Sequence, residues 1–152
     1  MRNSYLALAA LSCIAAVAPV HAQQPAAGAA PAGPFVREGV TEKVSEHVYV
    51  IPDGSVGGVP NVGIIVGNKA TLVVDTGMGK RNGEAVLREV KKVSKNETLY
   101  LVTTHVHPEH DLGANAFPAS TKMIRSQAQV DEIASQGMGT ADAFRSRSAV
   151  NK

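Results

Sequence analysis

A chain of 152 residues with 15 basic and 13 acidic side chains is long enough for one domain, and too evenly charged for a dedicated nucleic-acid or anionic-membrane surface. Its single cysteine, Cys13, lies inside an N-terminal apolar run, which excludes a disulfide framework and leaves nitrogen and oxygen as the ligands for any metal. Setting that run aside removes Arg2 and no acid, so 14 bases face 13 acids in the remainder.

The first 22 residues carry a basic start at Arg2, an apolar stretch from Tyr5 to Val20 and a small-residue stop at Val20, His21 and Ala22. That pattern predicts a signal peptide at 1–22, a periplasmic or secreted mature protein and no stable membrane anchor after cleavage. Residues 23–34 are rich in alanine, proline and glycine and have nothing to bury. A flexible leader over 23–39 is expected, with the folded part spanning 40–152. Val44 and then residues 48–51 read as two short strands broken around Ser45 and Glu46, with His47 a half-exposed strand residue. Residues 55–60 contain Gly57 and Gly58 but no lysine in phosphate-loop spacing, so a mobile loop near a cleft is expected and a nucleotide cradle is not.

Residues 61–66 and 70–74 are apolar runs on either side of Gly67, Asn68 and Lys69, which predicts a β-hairpin. Its second strand delivers Asp75, followed by the permissive run Thr76-Gly77-Met78-Gly79. On local sequence alone Asp75 reads equally as a turn former and as a residue standing behind a nearby site. From Asn82 the spacing becomes helical, with Val86, Leu87, Val90 and Val93 on one face, Asn82 as expected N-cap and Ser94-Lys95-Asn96 as the end. Residues 98–103 form a strand whose Leu99, Tyr100, Leu101 and Val102 predict burial on both faces. Strand, helix and strand imply a right-handed crossover, with binding loops at the carboxyl ends of the strands. Further on, the pattern predicts a short helix within 111–117 ahead of Pro118, a strand at 122–124, a helix at 127–135 touching the core through Val130 and Ile133, and a weakly patterned tail from Ala141.

The chemistry lies in the run Thr104-His105-Val106-His107-Pro108-Glu109-His110-Asp111, which holds three of the chain's five histidines. Neutral imidazole is the commonest zinc ligand, and residues two apart in a loop leaving a strand point the same way. His105 and His107 can therefore converge on one cation at about 2.0–2.1 Å per Zn–N bond. Pro108 stiffens the bend, and Glu109 and His110 follow on its far side, placed for a second cation. Two neighbouring cations can share a hydroxide and polarise a carbonyl or phosphoryl oxygen, so the reaction class is metal-assisted hydrolysis. The plainer alternative is an exposed histidine loop with adventitious metal affinity.

The hairpin ending in Val73-Val74-Asp75-Thr76-Gly77, the helix, the strand at 99–103 and the loop from Thr104 to His110 resemble the N-terminal half of the metallo-β-lactamase superfamily, over about residues 40–135. The resemblance implies an α/β (α+β) chain, the αββα sandwich, of which only one sheet and its flanking helices are present. It implies a first zinc site at His105 and His107, a second at Glu109 and His110, and Asp75 behind them steadying the loop. The implied cofactor is zinc, one or two ions, with iron possible. The implied activity is that of an exported hydrolase using metal-bound hydroxide on a small-molecule ester, thioester, lactam or related substrate. The alternatives are an iron-dependent oxygenase on the same fold, similar to the persulfide dioxygenases, and a non-catalytic metal-binding fragment. The family usually reads His-x-His-x-Asp-His here; Glu109 replaces the aspartate, and its extra methylene moves the carboxylate by roughly 1.5 Å. The family also draws a bridging carboxylate and two histidines from its C-terminal half, and no histidine follows His110, so the chain reads as the N-terminal part of a longer protein.

Overall fold

The computed structural model describes residues 33–147; the expected signal peptide and most of the leader lie outside the described residues. Six strands form one mixed sheet in chain order: β1 (Glu42–Lys43), β2 (Val48–Ile51), β3 (Val62–Val66), β4 (Thr71–Val74), β5 (Leu99–Val102) and β6 (Lys122–Ile124). The first four are antiparallel neighbours, whereas β5 runs parallel to β4 and β6 parallel to β5. The hairpin between β3 and β4 closes where the Gly67 N–H donates to the Ala70 carbonyl at 2.9 Å. Between β4 and β5 the chain crosses through α1 (Gly79–Val93), as the change from alternating to helical spacing predicts. α2 (Pro108–Asp111) and a 3₁₀ turn at Leu112–Ala116 follow β5, and α3 (Gln127–Arg147) closes the described chain.

The core lies between one face of the sheet and α1. Ile51, Val62, Ile64, Val73 and Leu101 pack on Ala85, Val86 and Val90 of the helix. Each such aliphatic side chain contributes about 1.5–3 kcal/mol when fully buried. The opposite face is different. Leu101 is buried, but Tyr100 and Val102 are half-buried, as are Val48, Val50, Ile65, Leu72 and Val74. The expectation that residues 99–102 are buried on both faces is therefore corrected: an unbroken apolar run marks a strand that can be covered twice, and among the described residues only one cover is built.

Five other expectations shift, one being the core contact of the helix at 127–135: Val130 is 46% exposed and takes no part in the core. Val44 lies outside any strand and is exposed, because the strand ahead of the bend is Glu42–Lys43. His47 is an exposed residue of that bend. α3 runs on to Arg147, through the tail whose apolar spacing is too weak to predict it. And α1 begins at Gly79, with Asn82 buried in its first turn instead of capping it.

Asn82 has other partners. Its Oδ1 accepts the Val36 N–H at 2.8 Å, and its Nδ2 donates to the Pro34 and Met78 carbonyls at 2.9 and 2.7 Å. Val36 is buried in the core, Arg88 forks onto Glu38 with both bonds at 2.7 Å, and Arg81 stacks over the Phe35 ring at 3.6 Å. The packed domain thus starts before Val40, where the sequence boundary falls. The proline-rich composition hides this because the anchoring rests on a few scattered contacts, with Val36 as the buried apolar residue among them, and not on a periodic pattern.

Buried Glu89 completes that anchor: its carboxylate accepts the Gly39 N–H, the Thr41 hydroxyl and the Lys92 ammonium. Burial alone would raise its pKa, but Lys92, Thr41 and Gly39 together hold it below the ordinary carboxylate value. A group depressed in the fold stabilises fully above its unfolded pKa, about 4.3, and loses that contribution as pH falls through the lower folded value. Glu89→Gln is expected to cost about 1–3 kcal/mol at neutral pH and to flatten the acid limb of stability, as read from thermal melts between neutral pH and about pH 3. An unchanged acid limb would show that another group drives it. Among the described residues, no helix is long and apolar enough to cross a membrane.

Candidate metal centre

Parallel pairing of β4 and β5 in the register Val74 with Val102 brings their C-terminal ends to one edge of the sheet. There the Asp75 N–H donates to the Val102 carbonyl at 2.9 Å, and the chain turns through a positive φ of 65° at Asp75 and 77° at Gly77. At Gly77 a side chain has no room, since a Cβ would lie 2.7 Å from Asn82 Cβ and 2.8 Å from Val36 Cγ2. Asp75 is an uncommon residue at such a φ, and it is held there by what its side chain does.

Its carboxylate, 3% exposed, spans the loop. Oδ1 accepts the Thr104 N–H at 2.8 Å, while Oδ2 accepts the Thr104 hydroxyl at 3.0 Å and pairs with His110 Nδ1 at 2.9 Å. Thr76 grips the same histidine from its backbone: its N–H and hydroxyl both donate to the His110 carbonyl, at 3.0 and 2.9 Å. These bonds also assign protons. A carboxylate oxygen accepts, so His110 carries its proton on Nδ1. The Thr104 hydroxyl gives its one proton to Asp75 and so accepts from His105 Nδ1, 3.1 Å away. In a neutral ring so bonded, Nε2 is the unprotonated nitrogen, the form that binds a metal. Burial first, and then the neighbouring His110 and His107, hold the His105 imidazole below its ordinary pKa, which favours the neutral ring.

The three imidazoles form one cluster and not two separated pairs: the centroid of His105 lies 4.6 Å from His107 and 4.0 Å from His110. Pro108 opens α2, which carries Glu109 and His110. Glu109 turns inward; its Oε1 stands 3.8 Å from His107 Nδ1, and its Oε2 is buried without a hydrogen-bond partner. A buried carboxylate oxygen left unsatisfied is costly unless a cation or proton satisfies it. By donor type, three imidazoles and an orphaned carboxylate oxygen fit a divalent cation. In geometry the gathering is incomplete, since among the described residues no three His, Cys, Asp or Glu side chains are placed to hold one metal ion together. The His105 and His107 rings meet edge to face, 68° apart, and would have to turn to share a cation.

His47 takes no part; it sits beside Glu46 at 3.8 Å. Sequence reasoning placed Asp75, His105, His107, Glu109 and His110, and the fold brings all five to one sheet edge. It missed Thr76 and Thr104 as the residues that orient the histidines. Their only signal is adjacency, each standing next to a residue already singled out.

Residues 55–125 match the model of the metallo-β-lactamase superfamily. No curated protein matches the chain. Among solved structures, a Cronobacter sakazakii metallo-β-lactamase described by a HARLDQ motif shares 13% identity at a TM-score of 0.54, covering 68% of this chain and 39% of that one. The stereoselective inverting sec-alkylsulfatase Pisa1 of a Pseudomonas species shares 17% at 0.54, covering 69% and 18%. A metallo-β-lactamase from Erythrobacter litoralis, with β-mercaptoethanol in its active site, shares 19% at 0.52, covering 68% and 49%. At such identities the likeness is one of fold, and the chain spans less than half the length of each of these three proteins.

Proposed function

We propose that this chain, whose residues 55–125 match the metallo-β-lactamase superfamily and whose fold is similar to part of its solved members, is the metal-binding half of a hydrolase. The substrate is a small ester, thioester, lactam or related molecule. The signal-like N-terminus supports work in the periplasm or outside the cell.

One observation carries the reading: Asp75 and Thr104 hydrogen-bond Nδ1 of His110 and His105, and beside these rings a buried Glu109 oxygen has no hydrogen-bond partner. His105 and His107 would hold one zinc, and Glu109 and His110 a second or the opposite side of the first. Bound there, zinc supplies Lewis acidity to a water and to the carbonyl under attack. The remaining work belongs to the chain. Asp75 fixes the tautomer of His110 and ties the first residue of the loop to the last. Thr104 fixes the tautomer of His105, and Thr76 keeps the His110 backbone in place. Hydrogen bonds of this kind hold His105 and His110 near the cluster, so that metal binding would call for a turn of the rings and not a rebuilding of the loop.

The complete protein that contains this chain, purified and loaded with zinc, is expected to turn over a chromogenic lactam or a thioester, to lose that turnover on exhaustive chelation and to regain it when zinc is returned. Turnover undiminished by chelation would remove the metal from the reaction. Iron as the bound metal, with oxygen consumption in place of hydrolysis, would favour the oxygenase chemistry instead.

A further inference from the structure

Thr103 and Asp111 are the residues immediately before and after the histidine loop, and one guanidinium holds both. Arg125, the residue after β6, donates from Nη1 to Thr103 Oγ1 at 3.2 Å and from Nη2 to Asp111 Oδ1 at 2.6 Å. We propose that Arg125 is a positioning residue for the metal centre: by tying the two feet of the loop together, it sets the separation between the His105–His107 arm and the Glu109–His110 arm. The proposal rests on the metal-binding reading above.

The loop needs such an external tie. α2 is a single turn, too short to hold its own direction, and no side chain caps it. Inside the loop, Asp75 spans Thr104 and His110; outside it, Arg125 spans the next residue at each end, so the two clamps are nested. Thr103 is buried, and its carbonyl accepts Gln129 Nε2 at 2.8 Å, so α3 fixes one foot of the outer clamp independently. Arg125 and Asp111 are each only 17% exposed, where a charge-assisted bond is stronger than on an open surface. Arginine suits the task because its planar fork presents donors at a fixed separation to two acceptors; a lysine ammonium is a point donor. Metal ligand distances tolerate shifts of about 0.2 Å, so a small splay of the feet is felt at the cation.

The test is a cobalt(II) titration of the metal-free full-length protein, followed by visible absorption, on wild type, Arg125→Gln, Arg125→Lys, Asp111→Asn and the double variant Arg125→Gln/Asp111→Asn. Thermal melts of the metal-free forms accompany it. Wild type should bind cobalt, and Arg125→Gln should bind roughly 10–100-fold more weakly with altered bands. The double variant should be no weaker than Arg125→Gln alone, as expected for one clamp counted once. Arg125→Lys, which keeps the charge against Asp111, should recover melting temperature but not affinity. Unchanged affinity and bands in Arg125→Gln, with only a lower melting temperature, would overturn the positioning role and leave the metal reading intact. A folded wild type that binds no cobalt would overturn the metal reading and this proposal with it.

Discussion

Gly83→Ala is expected to destabilise the domain by about 3 kcal/mol or more, lowering its melting temperature by on the order of 10 °C. A Cβ at residue 83 of α1 would lie 2.0 Å from the Gly113 carbonyl oxygen and 2.8 Å from Ala116 Cβ. Most of what it meets is backbone of the 3₁₀ turn, which cannot rotate aside as a flexible side chain does. That turn is itself pressed against the site: a Cβ at Gly113 would come within 2.4 Å of the Thr76 carbonyl oxygen, and the Gly113 N–H donates to the Gly77 carbonyl at 2.9 Å. α1, the turn and the Thr76-Gly77 loop therefore stack without spare volume. Thr76 is the residue that grips the His110 backbone, so the strain should reach the histidines as well as the melt. A melting temperature within about 2 °C of wild type would show that the stack yields easily.

Asp75→Ala should show the largest effect on metal affinity among residues that are not themselves donors, a loss of roughly 10–100-fold together with about 2–4 kcal/mol of stability. It strips an acceptor from the Thr104 N–H, the Thr104 hydroxyl and His110 Nδ1 at once, and leaves alanine at a positive φ. Asp75→Asn separates the two causes. Asparagine tolerates that φ and can still accept the Thr104 N–H, but it presents no carboxylate to His110. Zinc competition with a chromophoric chelator, run beside thermal melts, should find Asp75→Asn closer to wild type in stability than in affinity. Equal recovery of both would mean that the carboxylate matters only to the backbone turn.

Where the chain's pattern is periodic, the fold is legible. The hairpin across Gly67, the helix through Val86 and Val90 and the strand through Leu101 follow from alternation and helical spacing, because each buries one face on the same core. The histidine loop is legible for a different reason: three imidazoles and a carboxylate so close in sequence must be close in space. Less legible are contacts that local pattern does not encode. Asn82 has the chemistry of an N-cap, but its amide is taken by Val36 and Pro34 from a segment that composition marks as leader. Arg125 sits in an unremarkable polar stretch, and its reach to Thr103 and Asp111 depends on β6 pairing with β5, a neighbour far along the chain. The clustering of His110 with His105, closer than His107 with His105, depends on Asp75 drawing the His110 ring inward from another strand.

The most direct measurement is a calorimetric titration of the metal-free protein with zinc, wild type beside His105→Ala. Saturable binding of one or two ions by wild type, with the tight phase lost in the variant, is the predicted result. Identical stoichiometry and affinity in the two proteins would contradict the assignment of the histidine loop as the metal centre.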